Sequence, residues 1–288
     1  MEKRTRDYKK NGSKKMSKQG KVLILALLAF LIFFVGFKIY HSKDVQASTI
    51  KLVNKSNETY AYSGSKKLTG LQKINGNNYY FDSTTGVMKT GLMTLDGGTV
   101  YFSPQTGKMV YGLQKINGYY YYFTKKTGKD DVVKAYEAVA SQLKSDNSVI
   151  EKTISSGMKL VGKSPYVYGG GRTMIHTANE FDCRFYCSMW LGVNFGLQFA
   201  ASTSLLAQTG EAEDWSDKAR GDLLITADDA SEDEQHAAIY LGGGFILHDS
   251  TSTDGVSISR LNQVINKKVL GTMTWGQLFE PGHVRREV

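Results

Sequence analysis

The stretch His236-Ala237-Ala238-Ile239-Tyr240-Leu241-Gly242-Gly243-Gly244-Phe245-Ile246-Leu247-His248 reads as two short apolar strands around a glycine turn. A histidine stands at each outer end. A loop with an odd number of residues would place His236 and His248 on one face of the hairpin. As diagonal neighbours they would then lie about 7–8 Å apart at Cα, within imidazole reach. A two-residue turn would put them on opposite faces unless a bulge restored the phase. Upstream, Gly221-Asp222-Leu223-Leu224-Ile225-Thr226 reads as another strand, with Asp222 as a turn residue.

Further upstream the text again becomes specific. Pro165-Tyr166-Val167-Tyr168-Gly169-Gly170-Gly171-Arg172 is followed, after eight intervening residues, by Phe181-Asp182-Cys183. Asp182 is a good helix N-cap, which places Cys183 in a first helical turn, where the helix dipole favours thiolate. The next residues, 185–197, are apolar almost all round and predict a buried helix. A thiolate nucleophile needs a base to hold its proton and a third group to orient that base. Cys183, His236 and His248 supply those three types. Each has a plainer reading: Cys183 as a small buried hydrophobe, His248 as a hydrogen-bonded core histidine. Cys187 reads as core packing, and a bridge to Cys183 four residues away in one helix would be strained. A zinc site would use the same residue types, but no paired-ligand spacing supports it. Neither metal nor cofactor is expected, and His41, His176 and His283 receive no role.

With these residues in view, the region from 150 to 280 resembles the NlpC family of papain-like cell-wall peptidases. The resemblance is carried by PYVYGG, FDC, GDL and the two histidines separated by eleven residues, in the family's order. It implies an α+β papain-like catalytic domain, a small antiparallel sheet packed on helices, with Cys183 as nucleophile, His236 as general base and acid, and His248 orienting His236. Tyr166 matches the family's tyrosine near the thiol, and Asp182 stands where the family contacts substrate. The substrate implied is the peptidoglycan stem peptide, cut between D-glutamate and the dibasic residue. The family usually continues Asp-Cys with two small residues, whereas Arg184 and Phe185 follow here. Arg184 either pairs with a stem-peptide carboxylate or forms an internal salt bridge to Asp182. Two other functions stay open on these residues. One is a catalytically impaired wall-binding protein, its cleft closed by Arg184 and Phe185. The other is a CHAP-like amidase, a class that more often has Asn or Glu in place of the second histidine.

Ahead of this domain the chain repeats with a period of 21, the Gly-Leu pairs standing at Gly70, Gly91 and Gly112. In each unit a turn (Asn75-Gly76, Asp96-Gly97, Asn117-Gly118) precedes an aromatic run, and a second glycine follows at Gly86, Gly107 and Gly128. This predicts consecutive β-hairpins in a small solenoid-like module, each unit too small to bury its own apolar face. The pattern resembles the choline- and glucan-binding wall repeats of Gram-positive surface proteins. Tyr79, Tyr80, Tyr101, Tyr119 and Tyr120 are the candidate ligand-binding residues, with hairpin packing as the plainer reading of each. No Trp falls in the repeats, so a wall sugar or teichoic acid is favoured over choline. Between repeats and catalytic domain, Val132, Val133, Tyr136, Val139, Ala140 and Leu143 predict one helix capped by Asp130 or Asp131. A second is predicted from Asn147 to about Val161.

The formal charge of +9 belongs to the N-terminus: residues 1–47 hold eleven Lys/Arg and three Asp/Glu, leaving about +1 for the rest. That removes the footprint of a nucleic-acid binder. Residues 22–37 are sixteen uncharged residues, between a signal-peptide core and a membrane span in length. The expectation is export to the cell wall or the extracellular space, either with cleavage near Ala47 or with a retained membrane anchor. The organisation expected is a basic segment (1–21), a signal or transmembrane helix (22–40) and a spacer (41–64), then repeats (65–128), a connecting helix (129–149) and the catalytic domain (150–288).

Overall fold

A computed structural model of the chain describes residues 50–167, 202–232, 234–266 and 268–288. The N-terminal segment read as a signal or anchor lies outside them, as do Asp182, Cys183, Arg184 and Cys187. Among the described residues no helix is long and apolar enough to cross a membrane. These residues form two compact units, one running up to Lys89 and the other starting at Thr90.

Among the described residues the first unit is all β. Strands β1 (Ile50–Lys55), β2 (Glu58–Ser63) and β3 (Lys66–Leu68) form one antiparallel sheet; β4 (Gly70–Ile74), β5 (Asn77–Phe81) and β6 (Met88–Lys89) form another. The segment read as a spacer thus carries a hairpin of its own, turning at Ser56-Asn57 with φ of 50° and 66°. Ile50, Ala61, Leu68, Ile74, Tyr79 and Phe81 make the apolar cluster, with Met88 packed on it.

The second unit opens with the next two hairpins, β7 (Gly91–Leu95) with β8 (Gly98–Phe102), and β9 (Gly112–Ile116) with β10 (Tyr119–Phe123). All three repeats turn alike: φ is 49° and 80° at Asn75-Gly76, 44° and 72° at Asp96-Gly97, and 49° and 86° at Asn117-Gly118. Two consecutive positive φ values define a type I′ turn, the one whose twist matches its flanking strands. Asn and Asp tolerate the first position and glycine the second. The predicted hairpins form for that reason.

Two helices follow, α1 (Val132–Val139) and α2 (Ser148–Met158). Asp131 caps α1 by accepting from the Lys134 amide at 3.1 Å, and Asn147 caps α2 through the amides of Val149 and Ile150. Both match the predicted helices, α2 ending three residues short of the expected Val161. After the short α3 (Thr203–Leu206), the rest of the unit is a six-stranded antiparallel sheet with one further helix. Its strands are β11 (Glu211–Glu213), β12 (Leu223–Ile225), β13 (Ala237–Gly242), β14 (Phe245–Ser250), β15 (Gly255–Arg260) and β16 (His283–Arg286), and α4 (Trp275–Phe279) precedes β16. The spatial order is β11-β16-β12-β13-β14-β15.

Alternation along the strands gives the sheet two buried faces. Leu223, Ile225, Ile239, Phe245 and Leu247 cluster with Tyr136 and Val139 of α1 and Ile154 of α2. Leu224, Ala238 and Ile246 point the other way, toward Trp275, Leu278 and Phe279 of α4. Burying one such Leu or Phe contributes roughly 1.5–3 kcal/mol, so the two faces make this sheet the principal core of the unit. The result is the expected α+β arrangement of antiparallel sheet and helices.

The third hairpin is joined to this sheet by buried polar contacts. Arg260, 4% exposed, pairs with both carboxylate oxygens of Asp130 and lies over the Tyr121 ring at 4.1 Å. The Asn262 amide donates to the Tyr121 hydroxyl at 2.8 Å. Gly244 gives Tyr119 its place: a Cβ there would come within 2.7 Å of the ring.

Candidate active site

The two histidines meet because of one irregularity. Ile239 pairs with Leu247 and Tyr240 with Ile246, but Gly242 pairs with Phe245, so Leu241 is an extra residue in β13. The turn proper is the two residues Gly243 and Gly244, the case in which only a bulge restores the phase, and the bulge is present. Ile239 against Leu247 sets the register, so His236 and His248 are diagonal neighbours on the face that carries Ile246 and α4.

His236 stands one residue before β13, 6% exposed, held by reciprocal bonds of its backbone with Thr226. Its Nε2 lies 3.0 Å from Nδ1 of His248, with the rings perpendicular. His248 is fully buried in β14, and its Nε2 lies 2.9 Å from Oγ of Ser259, also fully buried, on β15. Trp275 covers the pair, its ring centroid 4.4 Å from His248 and 5.0 Å from His236. Phe279 flanks His236 at 5.7 Å. The capping box of α4, in which Thr274 and Gln277 each bond the other's backbone, fixes Trp275 in the first turn.

Burial, and then the neighbouring His236, push His248 well below the ordinary histidine value of 6.5. His248 is therefore neutral near pH 7 and carries a single N–H. In the tautomer with Nε2–H of His236 donating to Nδ1 of His248, the His248 proton sits on Nε2 and faces Ser259 Oγ. That direction leaves Nδ1 of His236 as the nitrogen to exchange a proton with a reacting group. The arrangement is suited to orienting a general base.

Tyr166 ends a segment pinned on the start of β15, where Val256 bonds Ser164 and Gly162 at 3.0 Å each. A Cβ on Gly255 would lie 2.0 Å from the Ser164 carbonyl oxygen, so only glycine admits this approach. Among the repeat tyrosines, Tyr79 is buried within the first unit, and Tyr80 stands in β5 opposite Leu71 and Lys89. Tyr101 stacks on Phe123 at 6.0 Å, Tyr119 packs at the Gly244 turn, and Tyr120 packs against the α1–α2 face of the sheet.

Two residues of the site escaped the sequence reading, Ser259 and Trp275. Ser259 shares a face with His248 by simple alternation once the β14–β15 register is known, His248 standing opposite Ser257. Trp275 was signalled by the Thr-Trp-Gly-Gln cap, but nothing local says which face its helix covers.

Both parts of the chain are similar to known proteins. The NlpC/P60 family matches residues 162–274, and the choline-binding repeat matches residues 68–111 and 89–130. The peptidoglycan DL-endopeptidase CwlO of Bacillus licheniformis is 37% identical over 131 residues, spanning 44% of this chain and 28% of that protein. Among solved structures, the P60 domain of Mycobacterium avium subspecies paratuberculosis antigen MAP1204 is 21% identical over 49% of this chain and 95% of its own, at a TM-score of 0.36. Choline binding protein F of Streptococcus pneumoniae is 30% identical over 28% of each chain, at a TM-score of 0.26. The assignment rests on the sequence matches: the C-terminal part of this chain is an NlpC/P60-family domain, and choline-binding repeats precede it.

Proposed function

We propose that this chain is an exported cysteine peptidase that cleaves the stem peptides of peptidoglycan, held at the cell wall by its repeats. The observation that carries the reading is the buried line from His236 through His248 to Ser259. Cys183 is the nucleophile in this reading. Its thiol proton passes to Nδ1 of His236, and Sγ attacks the carbonyl carbon of the scissile peptide bond. As the C–N bond breaks, His236 returns the proton to the departing nitrogen, leaving a thioester on Cys183. Water then gives a proton to His236 and attacks the thioester carbon, and the C–S bond breaks to regenerate the thiol.

His248 stays neutral throughout and holds the His236 ring, while Trp275 and Phe279 keep water from that side of the imidazole. The bond assigned is that between D-glutamate and the dibasic residue, with Tyr166, Asp182 and Arg184 contacting the peptide. The repeats hold a wall sugar or teichoic acid. Digestion of isolated walls and of defined muropeptides by residues 48–288 tests the reading, with product masses identifying the bond. Cys183→Ala abolishes release; activity that survives that substitution overturns the assignment. A peptide-free sugar together with the whole stem peptide, from cleavage at the sugar–peptide amide, marks an amidase.

A further inference from the structure

Where the second and third hairpins meet the sheet, a groove of about 700 Å³ opens within the second unit. That is the size range of small-ligand sites. Its walls come from three places in the sequence: β7 and β8, β10, and the loop after β15. Thr94, Thr99, Asn262, Gln263, Asn266 and Lys268 supply hydroxyls, side-chain amides and one cation, and no carboxylate lines it among the described residues.

Three observations define what such a groove takes. Tyr121 lies in its wall, but Arg260 covers its ring at 4.1 Å and Phe123 stacks on it at 5.8 Å. A quaternary ammonium needs an open ring face, so this groove is not a choline cage. Asn262 donates to Tyr121, while its buried Oδ1 has no hydrogen-bond partner among the described residues. A buried acceptor of this kind favours a ligand that brings hydroxyl or amide donors. The loop that forms the outer wall also carries the cover of the histidine pair. Gln263 accepts from the Trp275 amide at 3.1 Å, Leu261 accepts from Gly276 at 2.6 Å, and Ile265 donates to Met273 at 2.9 Å.

We propose that this groove is a subsite for a polyhydroxylated, amide-bearing glycan strand, built jointly by the repeats and the catalytic domain. Resting on the endopeptidase reading, the inference gives that activity a preference for stem peptides still attached to their sugar chain. Hydroxyl and amide groups of the strand exchange hydrogen bonds with the Thr and Asn/Gln side chains, and Lys268 accepts an acidic substituent. The loop shared with Trp275 ties strand binding to the place where the peptide is cut.

The test uses the full chain and two variants. Thr94→Trp obstructs the groove from an exposed position; Lys125→Trp adds the same ring to an exposed turn outside it. The probe is peptide-free glycan strands prepared from cell walls, with binding followed by chemical-shift changes and folding checked by thermal unfolding. Wild type and Lys125→Trp bind alike, and Thr94→Trp binds at least tenfold more weakly. Thr94→Trp also lowers kcat/KM on disaccharide-linked peptides at least fivefold more than on the free peptide. No strand binding by wild type, equal binding by the two variants, or an equal loss on both substrates overturns the subsite. If wild type cleaves neither substrate, the endopeptidase reading fails, and the strand-binding measurement alone decides the groove.

Discussion

Gly70–Gly76 and Gly112–Gly118 spell the same heptapeptide, Gly-Leu-Gln-Lys-Ile-Asn-Gly, yet they serve two different units. Both make the same hairpin, Gly70 standing opposite Phe81 and Gly112 opposite Phe123, with the same I′ turn. Both bury the third and fifth residues of the second strand, Tyr79 and Phe81 in one, Tyr121 and Phe123 in the other. The two diverge first at Asn77-Asn78, where the third hairpin has Tyr119-Tyr120, and again just after the second glycine. Met88, Met109 and Asp130 occupy equivalent positions, each bridged to the repeat's phenylalanine. Met88 packs on an apolar cluster and Met109 is buried, whereas Asp130 pairs with Arg260. Local shape is written in every repeat. Docking to a foreign surface is written in the exchanged residues Tyr119, Tyr120 and Asp130.

The sharpest way to break this comparison is to undo the exchange. Asp130→Ala leaves the Arg260 guanidinium buried without its carboxylate and costs about 3–5 kcal/mol in the second unit, read by urea unfolding. Replacing both partners, Asp130→Met with Arg260→Met, recovers most of that loss. Lys89→Ala removes the exposed partner of Asp82 in the first unit and leaves the unfolding midpoint where it was.

A smaller, symmetrical effect is expected where the repeats are alike. A Cβ on Gly76 or Gly118 meets nothing within 4 Å, so an alanine there costs only backbone strain, about 1–2 kcal/mol. Equal losses for the two substitutions support a local code; unequal ones show that docking loads the turn.

Ser259→Ala separates the units by chemistry. Loss of its bond to His248 lowers kcat about tenfold, equivalent to about 1.4 kcal/mol, and changes the pH profile of kcat, while wall binding is kept. An unchanged profile would reduce Ser259 to packing.

The smallest effect is in the pH response. His248 binds a proton more readily unfolded than folded, so the second unit is most stable above about pH 6.5 and loses stability as pH falls below it. His248→Gln flattens that dependence in thermal unfolding. The first unit responds elsewhere: amides of Thr85 and Thr84 hold Asp82 at about 2 against its ordinary 3.8. Its contribution is present above about pH 4 and fades as pH falls toward 2.

What could be read from the sequence follows the range of each interaction. Turns of Asn-Gly or Asp-Gly, and the helix starts near Asp130-Asp131 and Asn147, act within four residues and were legible. The hairpin at Ser56-Asn57 was not, because its turn lacks the glycine that marks the others. Whether the two histidines share a face depended on a bulge at Leu241, which alternation alone leaves undecided. Asp130 and Asp131 competed for one helix cap. Asp131 takes it, and the partner of Asp130 is 130 residues away, beyond any local pattern. The repeat period runs unbroken through Lys89-Thr90, where the two units divide, so periodicity could not mark that division. The helix start on which Cys183 was read lies outside the described residues.

The Asp130–Arg260 pair also instructs anyone who would recombine these modules. A graft cut between repeats and enzyme at residue 130 would strand a guanidinium inside the recipient. A cut at Lys89-Thr90 keeps the last two hairpins, and Asp130 with them, on the side of Arg260.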